Sequence, residues 1–374
     1  MVSTIFLTAL SASLLIGSVC GYDVKDRFHD WVSDFKVRIE NDGHRDHLFT
    51  NWLDNDEHIK IANSQNNTYV LGHNQFSGLN SDEFSQYLGF SGSLGSRMEN
   101  IEHKIDEVKC LSGCVKSFDK SNKLGTVECV KGCLDDHKNV KVTKSVNLAS
   151  SVNWVEKGGV TPVKDQGQCG SCWSFSTTGA LEGAYFVAHG DLKSFSEQQL
   201  VSCDNRKNGG KDMGCNGGLM DNAFTWIEKN NGLCLESDYP YTSGTTKSAG
   251  DCETTCSVVS DSDVTSFVDV KANSDDDMMN ALNQQPVSIA IQADQKDFQL
   301  YKSGVFSGAC GTQLDHGVLV VGYGTEDGGD YYLVKNSWGT TWGYDGYIKL
   351  GRGDEYNNGS GQCGMLMQAS FPIV

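Results

Sequence analysis

The chain has 374 residues, 38% of them hydrophobic and seven of them Trp, enough for two or three folding units and a sizeable core. A formal net charge of -18 with no run of Lys and Arg excludes a nucleic-acid partner, and beyond the N-terminus no apolar run approaches the roughly 18–20 residues of a membrane span. The acidity suits solubility, or service in an acidic compartment where partial protonation of Asp and Glu relieves self-repulsion.

Ile5-Phe6-Leu7 through Leu14-Leu15-Ile16, with small residues before Gly21, has the form of a secretory signal over residues 1–21. The charged Asp23-Val24-Lys25-Asp26-Arg27 follows abruptly. This predicts entry into the secretory pathway, with a lysosome-like vacuole or the extracellular space as destination. Fourteen cysteines in an exported chain point to disulfides. Loss of Cys20 with the signal leaves an odd number, so one thiol stays unpaired, either reactive or seeking a partner.

Residues 24–63 contain no Pro. Phe28, Trp31, Phe35 and Ile39, then Leu48, Trp52 and Ile59, recur at helix-face spacing, which predicts two helices broken near Asn41-Asp42-Gly43. Residues 69–79 read as extended, Ser81-Asp82-Glu83-Phe84 opens a short helix, and residues 91–103, rich in Ser and Gly, read as a linker. Beyond it Cys110 and Cys114, then Cys129 and Cys133, stand four apart, each pair on one helix face. Two antiparallel helices joined by Cys110–Cys133 and Cys114–Cys129 make a stapled hairpin. A four-thiolate zinc site tolerates the same spacing, but the secretory context favours disulfides.

From about Asn147 the composition shifts toward Gly, aromatic residues and turns. Ser171 to His189 is predicted as one helix, with Trp173, Ala180, Leu181, Ala184 and Tyr185 as its apolar stripe and Gly190 as its end. Val287–Ile291, Val318–Val321 and Tyr331–Val334 are predicted strands. Helix first and strands afterward predict an α+β chain with a helical and a sheet lobe.

Cys172 stands in Gln166-Gly167-Gln168-Cys169-Gly170-Ser171-Cys172-Trp173, at the first turn of the predicted helix. There the macrodipole and unpaired backbone N–H groups favour a thiolate. A thiolate attacking a carbonyl carbon needs an imidazole to stabilise it and to protonate the departing amine. Of nine histidines, His316 is best placed, in Leu314-Asp315-His316-Gly317-Val318 at the start of a predicted strand. Asn336 follows in Lys335-Asn336-Ser337-Trp338-Gly339.

Cys-Gly-Ser-Cys-Trp at 169–173 is the local signature of the papain and cathepsin group, and His316, 144 positions after Cys172, keeps that group's spacing. The chain resembles this family of cysteine proteases. Residues 28–84 resemble the inhibitory propeptide of its cathepsin L-like members through Trp52, Asn55, Ile59 and Asn63 and through Gly72-His73-Asn74-Gln75-Phe76. His44 and Leu48 stand where that propeptide usually has Glu and Arg, and Gly78 where it has Asp.

The resemblance implies a papain-like fold with a helical left lobe, an antiparallel, barrel-like right lobe and a cleft between them. It divides the chain into signal peptide (1–21), propeptide and linker (22–104), stapled hairpin and activation junction (105–147) and peptidase domain (148–374). It implies a cysteine endopeptidase with Cys172 as nucleophile, His316 as proton partner and Asn336 orienting the imidazole under Trp338. Gln166 and the Cys172 backbone N–H would be the oxyanion donors. The family bridges would be Cys169–Cys215, Cys203–Cys252 and Cys310–Cys363; Cys234 and Cys256 then pair with each other, and Cys172 alone stays free. Gly217 and Gly218 would pair with an extended substrate, glycine permitting the close approach.

The pocket for the second residue before the cut would be walled by Leu219, Met220, Ala290, Leu314 and Gly317, beside Asp315, with Gln368 near its base. That wall predicts a preference for Leu, Val or Phe. No insertion between Cys215 and His316 is large enough to occlude the cleft, which favours endopeptidase action. The implied zymogen activates on acidification by losing residues up to about Asn147. Its partners would be protein and peptide substrates, its own propeptide as intramolecular inhibitor and cystatin-like inhibitors, with a monomeric state and no cofactor or metal. Asn66 and Asn358 open N-glycosylation sequons.

Overall fold

The computed structural model describes residues 23–90 and 148–374. The signal segment, the linker, Asn147 and the hairpin with Cys110, Cys114, Cys129 and Cys133 lie outside the described residues.

The N-terminal unit opens with α1 (Val24–Asp34) and α2 (Asp42–Asn63). The break between them spans Phe35 to Asn41. Asn41, the last residue of the break, is the N-cap of α2, its side chain accepting from the His44 N–H at 2.9 Å. Phe28, Trp31, Leu48 and Trp52 close a small core of their own, against which Phe35 and Ile39 pack from the connection. Gly78 fits this core because a Cβ there would meet the Trp31 ring at 2.6 Å and Leu48 at 2.8 Å. Charge is held elsewhere: buried Asp56 takes both guanidinium nitrogens of Arg27 at 2.6 and 2.5 Å, Lys60 at 2.8 Å and His73 at 3.2 Å.

Only β1 (Tyr69–Leu71) of the expected extended run 69–79 is strand. It ends because Asn74 competes for the backbone: its side chain accepts from the Phe76 N–H at 2.9 Å while Ser77 Oγ accepts from the Asn74 N–H at 2.9 Å, turning the chain. α3 (Ser81–Phe84) follows, closed by a capping box between Asn80 and Glu83.

The C-terminal unit contains β2 (Val152–Asn153), α4 (Cys172–His189), α5 (Glu197–Cys203), α6 (Met220–Lys229) and the short α7 (Ser243–Thr246). It continues with β3 (Ser266–Asp269), α8 (Asp275–Leu282), β4 (Val287–Ile291), α9 (Lys296–Gln299) and β5 (Tyr301–Phe306). β6 (His316–Glu326), β7 (Gly329–Lys335), β8 (Tyr347–Gly351) and β9 (Ala369–Ile373) complete it. Strand order is β1-β5-β8-β7-β6-β4-β9-β3, with β2 also on β6; all pairs are antiparallel except β5 with β8. The N-terminal unit therefore adds its own strand to the sheet of the C-terminal one. Gly304 (φ +84°) permits this join, since a Cβ would stand 2.4 Å from the Thr68 carbonyl.

α4 is buried nearly all round rather than along one stripe. Small residues make that possible: Cβ atoms at Gly179 and Gly183 would meet Leu319 at 2.8 Å and Pro286 at 2.6 Å. Its hydroxyls are satisfied, Ser176 donating to the Val318 carbonyl at 2.7 Å and Thr178 to Glu197 at 2.6 Å. The helix packs on β6, β4 and β9 on one side and on α5 and α6 on the other, so its N-terminus points into the seam between helices and sheet.

Candidate active site

Cys172 opens α4 and is fully buried. Its N-cap, Ser171, has a good capping side chain but does not use it: Ser171 Oγ meets Tyr241 Oη at 2.7 Å, leaving the first-turn N–H groups without a side-chain cap. The Gly317 N–H donates to Cys172 Sγ at 3.3 Å, which places the sulfur beside the first residues of β6. Among the described residues Cys172 is the free cysteine. The structure joins Cys169 to Cys215, Cys203 to Cys252, Cys234 to Cys256 and Cys310 to Cys363.

His316 begins β6 and Asn336 follows the end of β7, so the register of two adjacent strands brings them together. His316 Nε2 meets Asn336 Oδ1 at 2.8 Å, and Trp338 stacks on the imidazole with centroids 4.5 Å apart. The other nitrogen, Nδ1, is buried without a hydrogen-bond partner among the described residues. Gln166 Oε1 accepts from Ser337 Oγ at 2.7 Å, while its Nε2 donates to the Cys169 carbonyl at 2.9 Å and to the Tyr87 carbonyl at 2.8 Å.

Tyr87 belongs to the N-terminal unit, and its neighbours fill the seam. The Gly218 N–H donates to the Gly89 carbonyl and the Phe90 N–H to the Asp315 carbonyl, both at 3.0 Å, and Phe90 pairs in parallel with Gly218. A Cβ on Gly89 would stand 2.0 Å from the Gly170 carbonyl, so the backbone approaches as only glycine can. Tyr87, Gly89 and Phe90 were not legible as site residues; a Gly before an aromatic was their one mark. Farther back, Phe76 and Phe84 press edge-on against Trp338, Gln75 donates to the Trp338 carbonyl at 2.5 Å, and Asn74 to the Gln299 carbonyl at 2.8 Å. His58 and Tyr69 both reach Asp297 at 2.5 Å, and Lys296 reaches Asp54 at 2.5 Å.

This covering inverts the expectation of an easily formed thiolate at the helix N-terminus. Burial pushes the Cys172 thiol up to about 12, against the opposing pull of the Gly317, Gly89 and Trp173 N–H groups, and pushes His316 down to about 4. Both are neutral in the covered state.

A cavity of about 360 Å3 adjoins Gly218. Phe90, Leu219, Met220, Val270, Ala272, Met367 and Ala369 give its apolar wall and Gln368 lies on it; Asp221, Asp269, Lys271 and Ser370 make a polar part the sequence did not suggest. Ala290, Leu314 and Gly317 do not line it. Ala290 is buried in β4, Leu314 packs on Gly364, and Gly317 faces Met220 and the Trp173 backbone while its N–H donates to Cys172 Sγ. Asn66 and Asn358 are both exposed. No group of side chains suited to hold a metal ion occurs among the described residues, nor is any described helix long and apolar enough to cross a membrane.

Comparison with known proteins matches residues 148–373 to the papain family cysteine proteases and residues 28–84 to the cathepsin propeptide inhibitor domain. The KDEL-tailed cysteine endopeptidase CEP2 of Arabidopsis thaliana is 38% identical over 385 residues, covering 99% of this chain and 94% of that protein. Germination-specific cysteine protease 1 of the same plant is 38% identical, covering 94% and 85%. Among solved structures, the proform of the ragweed pollen allergen Amb a 11 cysteine protease superposes with a TM-score of 0.74 at 31% identity, covering 94% of both chains. The recombinant stem bromelain precursor gives 0.73 at 31%, covering 94% and 99%. The chain belongs to the papain family of cysteine proteases: it is a papain-like cysteine endopeptidase carrying its own propeptide inhibitor domain.

Proposed function

We propose that Cys172 is the nucleophile, His316 its proton partner, Asn336 the group that orients the imidazole, and Gln166 with the Cys172 backbone N–H the oxyanion donors. The observation that carries this reading is the His316–Asn336 contact at 2.8 Å beneath Trp338, which leaves Nδ1 without a partner next to a strand whose second residue donates to Cys172 Sγ. Once the cleft opens, transfer of the thiol proton to His316 gives a thiolate–imidazolium pair. The thiolate adds to the substrate carbonyl, and the charge that develops on oxygen falls where Gln166 Nε2 already holds a carbonyl. Collapse with proton delivery from His316 releases the amine and leaves a thioester. Water, deprotonated by His316, then hydrolyses it.

The precursor is a zymogen activated by propeptide removal at acidic pH, up to about residue 147. Supporting this, the propeptide lies across Cys172 and is held in part by polar contacts of Asp54 with Lys296 and of His58 and Tyr69 with Asp297. Substrates pair with Gly217 and Gly218 and place an apolar side chain in the cavity beside Leu219 and Met220, where Phe90 of the propeptide now stands. Four bridges among the described cysteines support maturation in the secretory pathway. The enzyme acts on protein and peptide substrates as a monomer.

Acidification followed by reaction with a thiol-alkylating epoxide tests the reading. Label confined to Cys172, with cleavage after a Leu or Phe at the second position, is the expected result. Label elsewhere, or turnover by a Cys172→Ser variant, overturns it.

A further inference from the structure

Two buried carboxyl groups have no part in this chemistry. Asp204 ends α5 at 0% exposure, and Asp212, in the loop leading to Gly217, is 4% exposed. The two side chains are in hydrogen-bonding contact. Asp204 Oδ1 accepts from the Lys211 N–H at 3.1 Å. Asp212 Oδ1 accepts from the Leu219 N–H and from Asn222 Nδ2, both at 3.0 Å. Oδ2 of each acid is buried and receives no donor among the described residues. Two touching carboxylates repel, whereas one proton between them supplies the missing donor and removes one charge.

Asp212 also bears directly on the substrate cleft. A Cβ on Gly218 would stand 2.8 Å from the Asp212 carboxyl carbon, and Leu219, next in the chain, hangs its N–H on the same carboxyl group. On the opposite side the Gly218 N–H faces the propeptide backbone.

We propose that Asp204 and Asp212 share a single proton and, through the Asp212 carboxyl, act as positioning residues that hold Gly217-Gly218-Leu219 where an extended substrate pairs with it. This rests on the reading of that segment as the substrate-pairing strand. The charged groups facing the pair are the two acids themselves and Lys211. Burial and mutual repulsion push Asp212 well above the usual carboxylate range, and burial raises Asp204. The shared proton is therefore retained at acidic pH and lost as pH rises, when the second charge pushes Asp212 away from Gly218.

The test is the pH dependence of KM and kcat for a Leu-containing peptide after activation, in the parent and in Asp212→Asn and Asp204→Asn. An amide keeps an acceptor for the Leu219 N–H, can donate to the remaining carboxylate and cannot lose the proton. The parent KM should rise about three- to tenfold from acidic to alkaline pH with a smaller change in kcat, and KM of either amide variant should stay flat. Infrared difference spectra of parent minus variant, taken on precursors carrying Cys172→Ser, should show one protonated carboxyl lost in each. Amide variants that keep the parental KM profile, or precursors with no protonated carboxyl to lose, overturn the proposal. Stoichiometric epoxide labelling of Cys172 in the same preparations tests the catalytic reading separately.

Discussion

The side-chain amide of Gln166 donates to the carbonyl of Tyr87 at 2.8 Å, so a propeptide main-chain oxygen holds the donor assigned to the oxyanion. Inhibition and catalysis then draw on the same hydrogen bond, neutral in the precursor and charge-assisted in the transition state. Replacing Gln166 with Ala should lower kcat about 100- to 1,000-fold, equivalent to about 2.7–4 kcal/mol, with little change in KM. Kinetics normalised to epoxide-titrated sites would check this. An equal rise in KM would mean that Gln166 binds the ground state instead.

Phe84 is fully buried against Trp338, which also covers the imidazole. Phe84→Ala removes that packing at a cost of about 3–5 kcal/mol, borne by propeptide docking because Phe84 meets Trp338 across the seam between the two units. The precursor should then label with epoxide at neutral pH, where the parent stays inert. Unchanged protection would place the grip of the propeptide elsewhere.

The residues of the proposed site were legible because Cys172, His316 and Asn336 are marked by short local motifs, and the helix and strands that carry them follow periodicity. The cover was less so. β1 is three residues long because Asn74 takes over the backbone, an outcome of side-chain competition that alternation does not reveal. Phe90, Gly89 and Tyr87 act through main-chain atoms, which leave no residue type to read. The polar part of the cavity was not legible for a related reason: Asp269 and Lys271 come from the end of β3 and just beyond it, about 50 residues along the chain from Leu219 and Met220.

Gly78 in place of an acid raises the question of what tunes the propeptide. Asp56, in contact with Arg27, Lys60 and His73, is the strongest charge cluster, and the hydrogen bonds from Arg27, Lys60 and His73 with the Arg27 charge hold its carboxyl well below the usual range despite burial. A depressed carboxylate stabilises the fold above its unfolded value and is lost only as pH falls through the lower folded one. Asp56 is thus a structural clamp that survives mild acid. Asp56→Asn should destabilise the propeptide by about 2–3 kcal/mol, reduced from the fully buried case because Arg27 is 31% exposed, and leave the shape of the activation pH profile intact. Chemical denaturation of the precursor and its activation midpoint are the two measurements. A shifted midpoint with unchanged stability would make Asp56 a trigger after all.

The acid activation proposed for this precursor is better placed at His316. Beneath the propeptide its value falls to about 4 from an ordinary 6.5, so the covered state keeps it neutral where the open state would take up a proton. The covered state then binds fewer protons, and its advantage is full above about pH 6.5 and declines as pH drops toward 4. At about 1.4 kcal/mol per unit, moving from about pH 7.5 to about pH 5 costs the closed form about 2 kcal/mol, roughly a thirtyfold shift toward opening. In the parent, opening also moves the Cys172 thiol proton onto His316, so the proton uptake by the imidazole is isolated by replacing Cys172 with Ser. The measurement is opening of a Cys172→Ser precursor, read as susceptibility of the propeptide to an added protease between about pH 7 and about pH 4.5. A second substitution, His316→Asn, should remove most of the increase on acidification. A double variant that opens along the same curve as Cys172→Ser would remove His316 from the trigger.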